Sequence, residues 1–427
     1  MTRVIISTFM CLVTSLGAYA DVTIEDCVAK AEANYPLISK YRLVEQTAEI
    51  DLSDINRSWL PRVGVYGQGT WQNTVPQFPE VLSGVIHQMG QEIKGLSKTQ
   101  YKVGVDLSQT IWDGGTSHNR REVTRAQQSV QESALDVELY AVRKRVENLY
   151  FATLLAEEQI AQNQVTLDLL KSNLGRLRSM LRNGTAMQSD VDMIEAQILQ
   201  LNQGIIQARN MAESSRKMLG LYVGESLDGE KLLEPDATMP DNMQPDRPEL
   251  RLFDRQLAAN DAALRLTDSS VMPKVQLFAQ AYYGYPGLNY FKSMTDRNMT
   301  FNLLAGVKVA WNIDSFYTRK NSASRSSLNA QSIRADREVF LFNSKIQTSS
   351  QLDAINSLRA LMKDDKEIIA LRANVRKAAE SQLANGIIDA TALLTKISDE
   401  NMAALTAKLH EIQLLQEIYN LKYTLNR

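Results

Sequence analysis

Cysteine is almost absent from this 427-residue chain: only Cys11 and Cys27 occur. An A-x-A cleavage pattern at Ala18-Tyr19-Ala20 follows Arg3 and the short apolar stretch Val4–Leu16, so residues 1–20 read as a secretory signal. Its removal would leave Cys27 alone, which excludes an internal disulfide. Neither cysteine stands where a lipid-anchoring signal would put it. No later stretch reaches eighteen uninterrupted apolar residues, which excludes a transmembrane helix. Histidine is also scarce: His87, His118 and His410 lie far apart with no metal-ligand spacing. There is no glycine-rich phosphate loop, no cysteine cluster and no Ser/His/Asp nucleophile motif. Asp364-Asp365 lies in a charged helical stretch and reads as a solvated face. The sequence therefore predicts no catalytic, cofactor-binding or metal site. An excess of basic residues is missing too (47 Lys+Arg against 49 Asp+Glu), which argues against nucleic acid as a partner. The 10 prolines and 20 glycines are few and clustered, so long unbroken helices are expected.

What is present is a repeat. The segment from Pro36 to Pro61 has a counterpart from Pro248 to Pro273, both prolines being offset by 212. Asn183-Gly184 and Asn385-Gly386 are offset by 202. The chain thus divides into a signal (1–20), a first unit (21–220), a linker (221–247) and a second unit (248–427). Each unit reads helix, strand, long loop, strand, very long helix, tight turn, helix. In the first, a helix over 35–60 stops at Pro61. Residues 74–100 read as loop, as do 285–300 in the second.

Strands are predicted near 62–72, 101–112, 274–284 and 301–313 by period-2 alternation. Val63, Val65, Tyr101, Val103, Val105, Leu107, Leu277, Tyr283, Phe301 and Val307 fall on one face. Lys102, Asp106, Ser108, Gln276, Gln280 and Lys308 fall on the other. An apolar face backed by a mostly polar one fits an outer-membrane barrel, with lipid outside and water within. It also fits a small soluble sheet packed on helices. The signal and the aromatic residues at strand ends (Trp71, Tyr101, Tyr283, Phe301, Trp311) favour the membrane. Four strands cannot close a barrel, and bare edges in lipid are costly, so the membrane reading requires several copies.

Residues 116–182 and 319–384 each predict a rod of roughly 100 Å. The shorter helices beside each rod, laid end to end, nearly match it. Leu167, Leu170, Leu174, Leu177 and Leu181 step by three and four, as do Val191 to Leu219 and Leu414 to Leu425. That is the seam of packed, nearly parallel helices.

The ordered set of motifs resembles the TolC-like outer-membrane efflux protein family. It comprises Trp59-Leu60-Pro61 and Val271-Met272-Pro273, Val103-Gly104-Val105 through Asp113-Gly114-Gly115, Gly306-Val307 with Asp314, Val146-Glu147-Asn148-Leu149-Tyr150-Phe151, Asn183-Gly184 with Ser189-Asp190-Val191, and Met218-Leu219-Gly220-Leu221. The resemblance spans nearly the whole mature chain. It implies a mainly α protein with a membrane β-barrel: long antiparallel coiled-coil helices plus four strands per chain, joined as a homotrimer into a twelve-stranded barrel and an α-helical periplasmic tunnel. It implies an outer-membrane exit duct for small molecules or proteins, docked through a periplasmic adaptor to an inner-membrane pump. Lys102, Asp106, Ser108, Gln276, Gln280 and Lys308 would line the barrel lumen. Asn183, Gly184, Asp190, Asp192, Asn385, Gly386 and Asp389 would form the periplasmic tip. Ala392 and Thr395 stand where some members carry two further tip aspartates. Ser189 and Asp389 also read as helix N-caps, with Asp190 and Asp192 complementing the helix dipole. The rival readings are a periplasmic adaptor or a coiled-coil spacer without a channel.

Overall fold

The computed structural model describes residues 21–77, 79–90 and 95–427; the proposed signal lies outside them. The elements run α1 (Ile24–Asn34), α2 (Ile38–Arg57), β1 (Arg62–Trp71), α3 (Glu80–Gln88), β2 (Thr99–Trp112), α4 (Thr116–Arg182) and α5 (Gln188–Val223). They continue with α6 (Pro248–Ser269), β3 (Lys274–Tyr285), α7 (Tyr290–Thr295), β4 (Thr300–Ala310), α8 (Ser315–Ala384) and α9 (Ala390–Leu425). The long helices have 67 and 70 residues, free of interior proline. Two corrections apply to the loops: α3 and α7 interrupt stretches that read as irregular from their proline and glycine content. The expected 35–60 helix begins at Ile38, because Pro36 separates it from α1. The N-cap Thr23 starts α1, its Oγ1 accepting from the Asp26 amide at 3.2 Å.

The chain forms two compact units, and each draws on both sequence repeats. One comprises residues up to 41, 134–251 and 337–427, and is helical. Its interior follows the predicted seams: Leu167, Leu170, Leu177, Val191, Ile194, Ile205, Leu219, Ile418, Leu421 and Leu425 are buried. Around α1 a second cluster gathers Ile24, Cys27, Ala31, Val146, Tyr150, Phe151, Leu219 and Tyr419 with Leu227 and Leu232 of the linker. Linker and N-terminal segment are held together by the Tyr150 hydroxyl, 2.7 Å from both the Val22 and Leu233 carbonyls. Arg216 binds the Leu227 carbonyl at 2.7 Å. Arg247 is stacked among Tyr140, Phe340 and Tyr423, 5.1–5.6 Å from the ring centres, and pairs with Glu249.

The other unit comprises 42–133 and 252–336. It holds the sheet, antiparallel throughout in the order β1-β2-β3-β4. At the far end of the sheet, Val75 and Leu96 pack with Met294 and with Tyr285, the last residue of β3, and the Ser97 amide donates to the Tyr285 hydroxyl at 2.8 Å. Those contacts join the β1–β2 and β3–β4 connections.

Candidate functional site

The register decides which side chains share a face. Val65 pairs with Val105, Val105 with Ala281 and Ala281 with Leu303; Leu107 pairs with Val63 and Ala279. Directly opposed residues of antiparallel strands point the same way, so the apolar face is continuous across all four strands. That face is bare in the single chain: Val65 is 81 % exposed, Phe301 70 % and Val307 63 %. It carries no charged residue. A soluble sheet would cover such a face with helices, and here none does. The outer strands β1 and β4 each leave one edge without a strand partner among the described residues.

The opposite face holds Lys102, Asp106, Ser108, Gln276, Gln280 and Lys308. Asp106 accepts from Gln280 Nε2 at 2.7 Å. Gln276 stands opposite Lys308, and Ser108 lies between Arg62 and Phe278. The face is less polar than the alternation suggests, because Tyr66, Phe278, Tyr282 and Leu304 are on it. Glycine makes room for the rings. A Cβ on Gly104 would lie 2.6 Å from the Ala281 carbonyl, 2.8 Å from Tyr282 and 3.0 Å from Tyr66. Lys102 Nζ sits 5.6 and 5.4 Å from the centres of the Tyr66 and Tyr282 rings.

The second set of predicted residues comes together where α4 turns into α5 and α8 into α9. Both turns end their helix the same way. Gly184 and Gly386 have φ of +76° and +71°, where a side chain would be strained. The Thr185 amide reaches the Met180 carbonyl at 2.9 Å and the Ile387 amide the Gln382 carbonyl at 2.9 Å, satisfying the last turn of each helix. Asn385 Nδ2 adds a bond to the Ser381 carbonyl at 2.9 Å.

The following helices start differently. The 202-residue offset aligns Met187 with Asp389 and Asp190 with Ala392. In the second turn Asp389 is the N-cap and accepts from the Ala392 amide at 2.8 Å. In the first, Met187 is at the N-cap, and Asp190, three residues on, accepts from the Met187 amide at 3.0 Å. These are the two halves of a capping box, one per turn. The expected cap at Ser189 is corrected: Ser189 lies inside the first helical turn, because α5 begins at Gln188. Ala392 thus does without a carboxylate because Asp389 already caps that end. Asp192 accepts from Gln188 at 2.7 Å.

The two turns pack on a shared apolar cluster of Leu170, Leu177, Val191, Ile194, Leu383, Ala390 and Leu393. A cleft of about 460 Å³ lies between them, lined by Met180, Gly184, Asp190, Leu383, Gly386 and Asp389 among others. Polar ties that periodicity could not reveal bind the helices behind it. Arg376 on α8 meets Glu380 at 2.8 Å and also Glu400 on α9. Burial opposes its charge, but the bonds to Glu400 and Glu380 outweigh that and raise its pKa. Asn173 of α4 reaches Glu380 at 3.4 Å, and Thr391 of α9 reaches Met193 of α5 at 3.2 Å. Asp365 is not fully solvated as its neighbours suggested: it is partly buried against α9, 2.9 Å from His410 Nδ1. Among the described residues, no group of His, Cys, Asp and Glu is placed to hold a metal ion, and no helix is long and apolar enough to cross a membrane.

Residues 28–225 match the family described as outer membrane efflux protein. No curated protein matches the chain in sequence. In fold it is similar to the outer-membrane channel OprN (TM-score 0.67, 14 % identity, 94 % of this chain and 89 % of that one). It is likewise similar to the outer membrane protein VceC of Vibrio cholerae (TM-score 0.65, 11 %, 94 % of each chain). The open state of the MtrE outer membrane channel of Neisseria gonorrhoeae gives TM-score 0.65 at 16 % identity, over 94 % of this chain and 88 % of that one.

Proposed function

We propose that this chain, which matches the outer membrane efflux protein family over residues 28–225 and resembles outer-membrane channels in fold over nearly its whole length, forms a trimeric TolC-like exit duct. Family members are transport channels rather than enzymes. The observation that carries the finer reading is the sheet: a charge-free apolar face exposed across four strands, bounded by two unpaired edges. In lipid each unpaired backbone group costs several kcal/mol, so the edges must find partners. Edge β1 of one copy meeting edge β4 of the next leaves no bare edge, and three copies make twelve strands. The smallest membrane barrels have about eight, so one chain cannot close alone.

In this arrangement the apolar face meets lipid, and Lys102, Asp106, Ser108, Gln276, Gln280 and Lys308 line the lumen. The helices form the periplasmic tunnel. The turns at Asn183-Gly184 and Asn385-Gly386 with Asp190, Asp192 and Asp389 form its closing end. Such a duct is passive, and an inner-membrane pump joined through an adaptor drives transport through it. The adaptor or spacer alternative is disfavoured by the same exposed face, for which it has no use. Light scattering of detergent-purified protein, corrected for bound detergent, is expected to give three chains per particle. A monomer that stays dispersed without detergent overturns the reading.

A further inference from the structure

We infer that the polar face of the sheet selects anions, so that the cargo crossing it is an organic anion bearing an apolar or aromatic body. The inference rests on the channel reading and adds a substrate class to it. Along the four strands this face carries four basic residues, Arg62, Lys102, Lys274 and Lys308, and one acid, Asp106. The chain as a whole is net −2, so the sign of the face departs from that of the protein. None of the four cations forms an ion pair among the described residues, whereas Asp106 is engaged by Gln280.

Their placement is ordered. Arg62 lies in the row Arg62–Ser108–Phe278–Gly306; Lys308 and Lys274 stand two and four residues further along, opposite Gln276 and Ala310. The three thus form a band within roughly 14 Å along the strands, at the sheet end joined to the helices. In three copies the strand positions of the band hold nine cations and no acid; Asp113, just past β2 at this end, is engaged by the Gly115 and Ser117 amides. Lys102 stands towards the other end, flanked by Tyr66 and Tyr282. Rings of Tyr66, Phe278 and Tyr282 beside the cations offer apolar area to an anion that also has a hydrophobic part. Charges of one sign inside a low-dielectric wall raise the local concentration of the opposite ion. The helix turns bear carboxylates instead, so the net ion selectivity of the whole duct sums opposed contributions and does not read the band alone.

The test is block of single channels in planar bilayers by naphthalene trisulfonate added from the barrel side. The parent is expected to show voltage-dependent block that weakens with salt. A trivalent cation of similar size and neutral cyclodextrin should not block from that side. Arg62→Gln, Lys274→Gln and Lys308→Gln together should raise the half-blocking concentration at least tenfold. The charge-conserving set Arg62→Lys, Lys274→Arg and Lys308→Arg should keep it within about threefold, and Asp106→Asn should lower it. Trimer mass checks assembly of each variant. Equal block by the trication, or block unmoved by the glutamine set, overturns the inference while leaving the channel intact. Absence of channels or of trimers in the parent overturns the channel reading itself.

Discussion

Leu107→Lys tests the membrane assignment most directly. Leu107 is on the apolar face, opposite Val63 and Ala279, and 41 % exposed in the single chain. On the same strand and face, Tyr101 and Trp112 mark the two aromatic ends. Their eleven-residue separation is roughly 37 Å along the strand, or about 28 Å after a tilt of ~40°. That is close to the ~25 Å apolar band of such barrels, and Leu107 stands within a residue of its centre. A lysine there should cost about 2–4 kcal/mol per chain, hence roughly 6–12 kcal/mol per trimer. The matched control is Ser108→Glu. It lies one residue away on the other face and opposite Arg62, where an opposite-charge pair contributes about 0.2–1 kcal/mol. Urea titration of protein folded into lipid vesicles, with trimer yield on unheated gels, measures both. Leu107→Lys should lose the trimer or move the midpoint sharply down, and Ser108→Glu should leave it in place or raise it. Equal behaviour of the two variants would refute the facing and the membrane reading with it.

Replacing Asp190, Asp192 and Asp389 with Asn should change bilayer conductance and reduce cation preference while trimers still form, because Asn retains capping ability; unchanged conduction would mean that these carboxylates only cap. In the helical unit, Glu147 is 2 % exposed, and its pKa is raised by burial despite Arg143 at 3.0 Å. Arg143→Ala strands that carboxylate and should cost about 3–5 kcal/mol near neutral pH, with Glu147→Gln much milder. A raised folded-state pKa means that Glu147 favours folding below the unfolded carboxylate value, and that this contribution is lost as pH rises through its folded value. The Arg143→Ala deficit should therefore shrink in mild acid, and denaturation midpoints that do not move with pH would count against it. Cys27 is buried, which pushes its thiol up to about 12. Maleimide at pH 8 should leave it unlabelled until urea unfolds the chain, and stability should fall as pH rises above the free thiol range of about 8.5. Rapid labelling of the native protein would place Cys27 at the surface.

Local pattern made much of this molecule readable from its residues. A side-chain period of 2 or about 3.6 is set by backbone geometry, so the four strands and the helical seams, with Ile194, Leu219 and Ile418 buried, follow from spacing. Glycine's tolerance of positive φ likewise announced the turns at Gly184 and Gly386. Other features depend on which residues meet across the chain. Register put Arg62 beside Ser108 and Lys308 beside Gln276, and so gathered the cations into a band. Asp365 looked solvated beside Asp364, yet helix packing set it against His410, 45 residues away. Arg376 found Glu400, and Asn173 found Glu380, across helices whose relative rotation no single stripe specifies. The capping carboxylate could also change places between repeats, from Asp190 in one to Asp389 in the other. Either position satisfies an orphan amide at the helix start, so composition at one site does not fix the solution used. The sequence alone determined what each segment can form, because that depends on neighbours along the chain. The tertiary structure decided which charges and edges are left unpaired, because that depends on every segment at once.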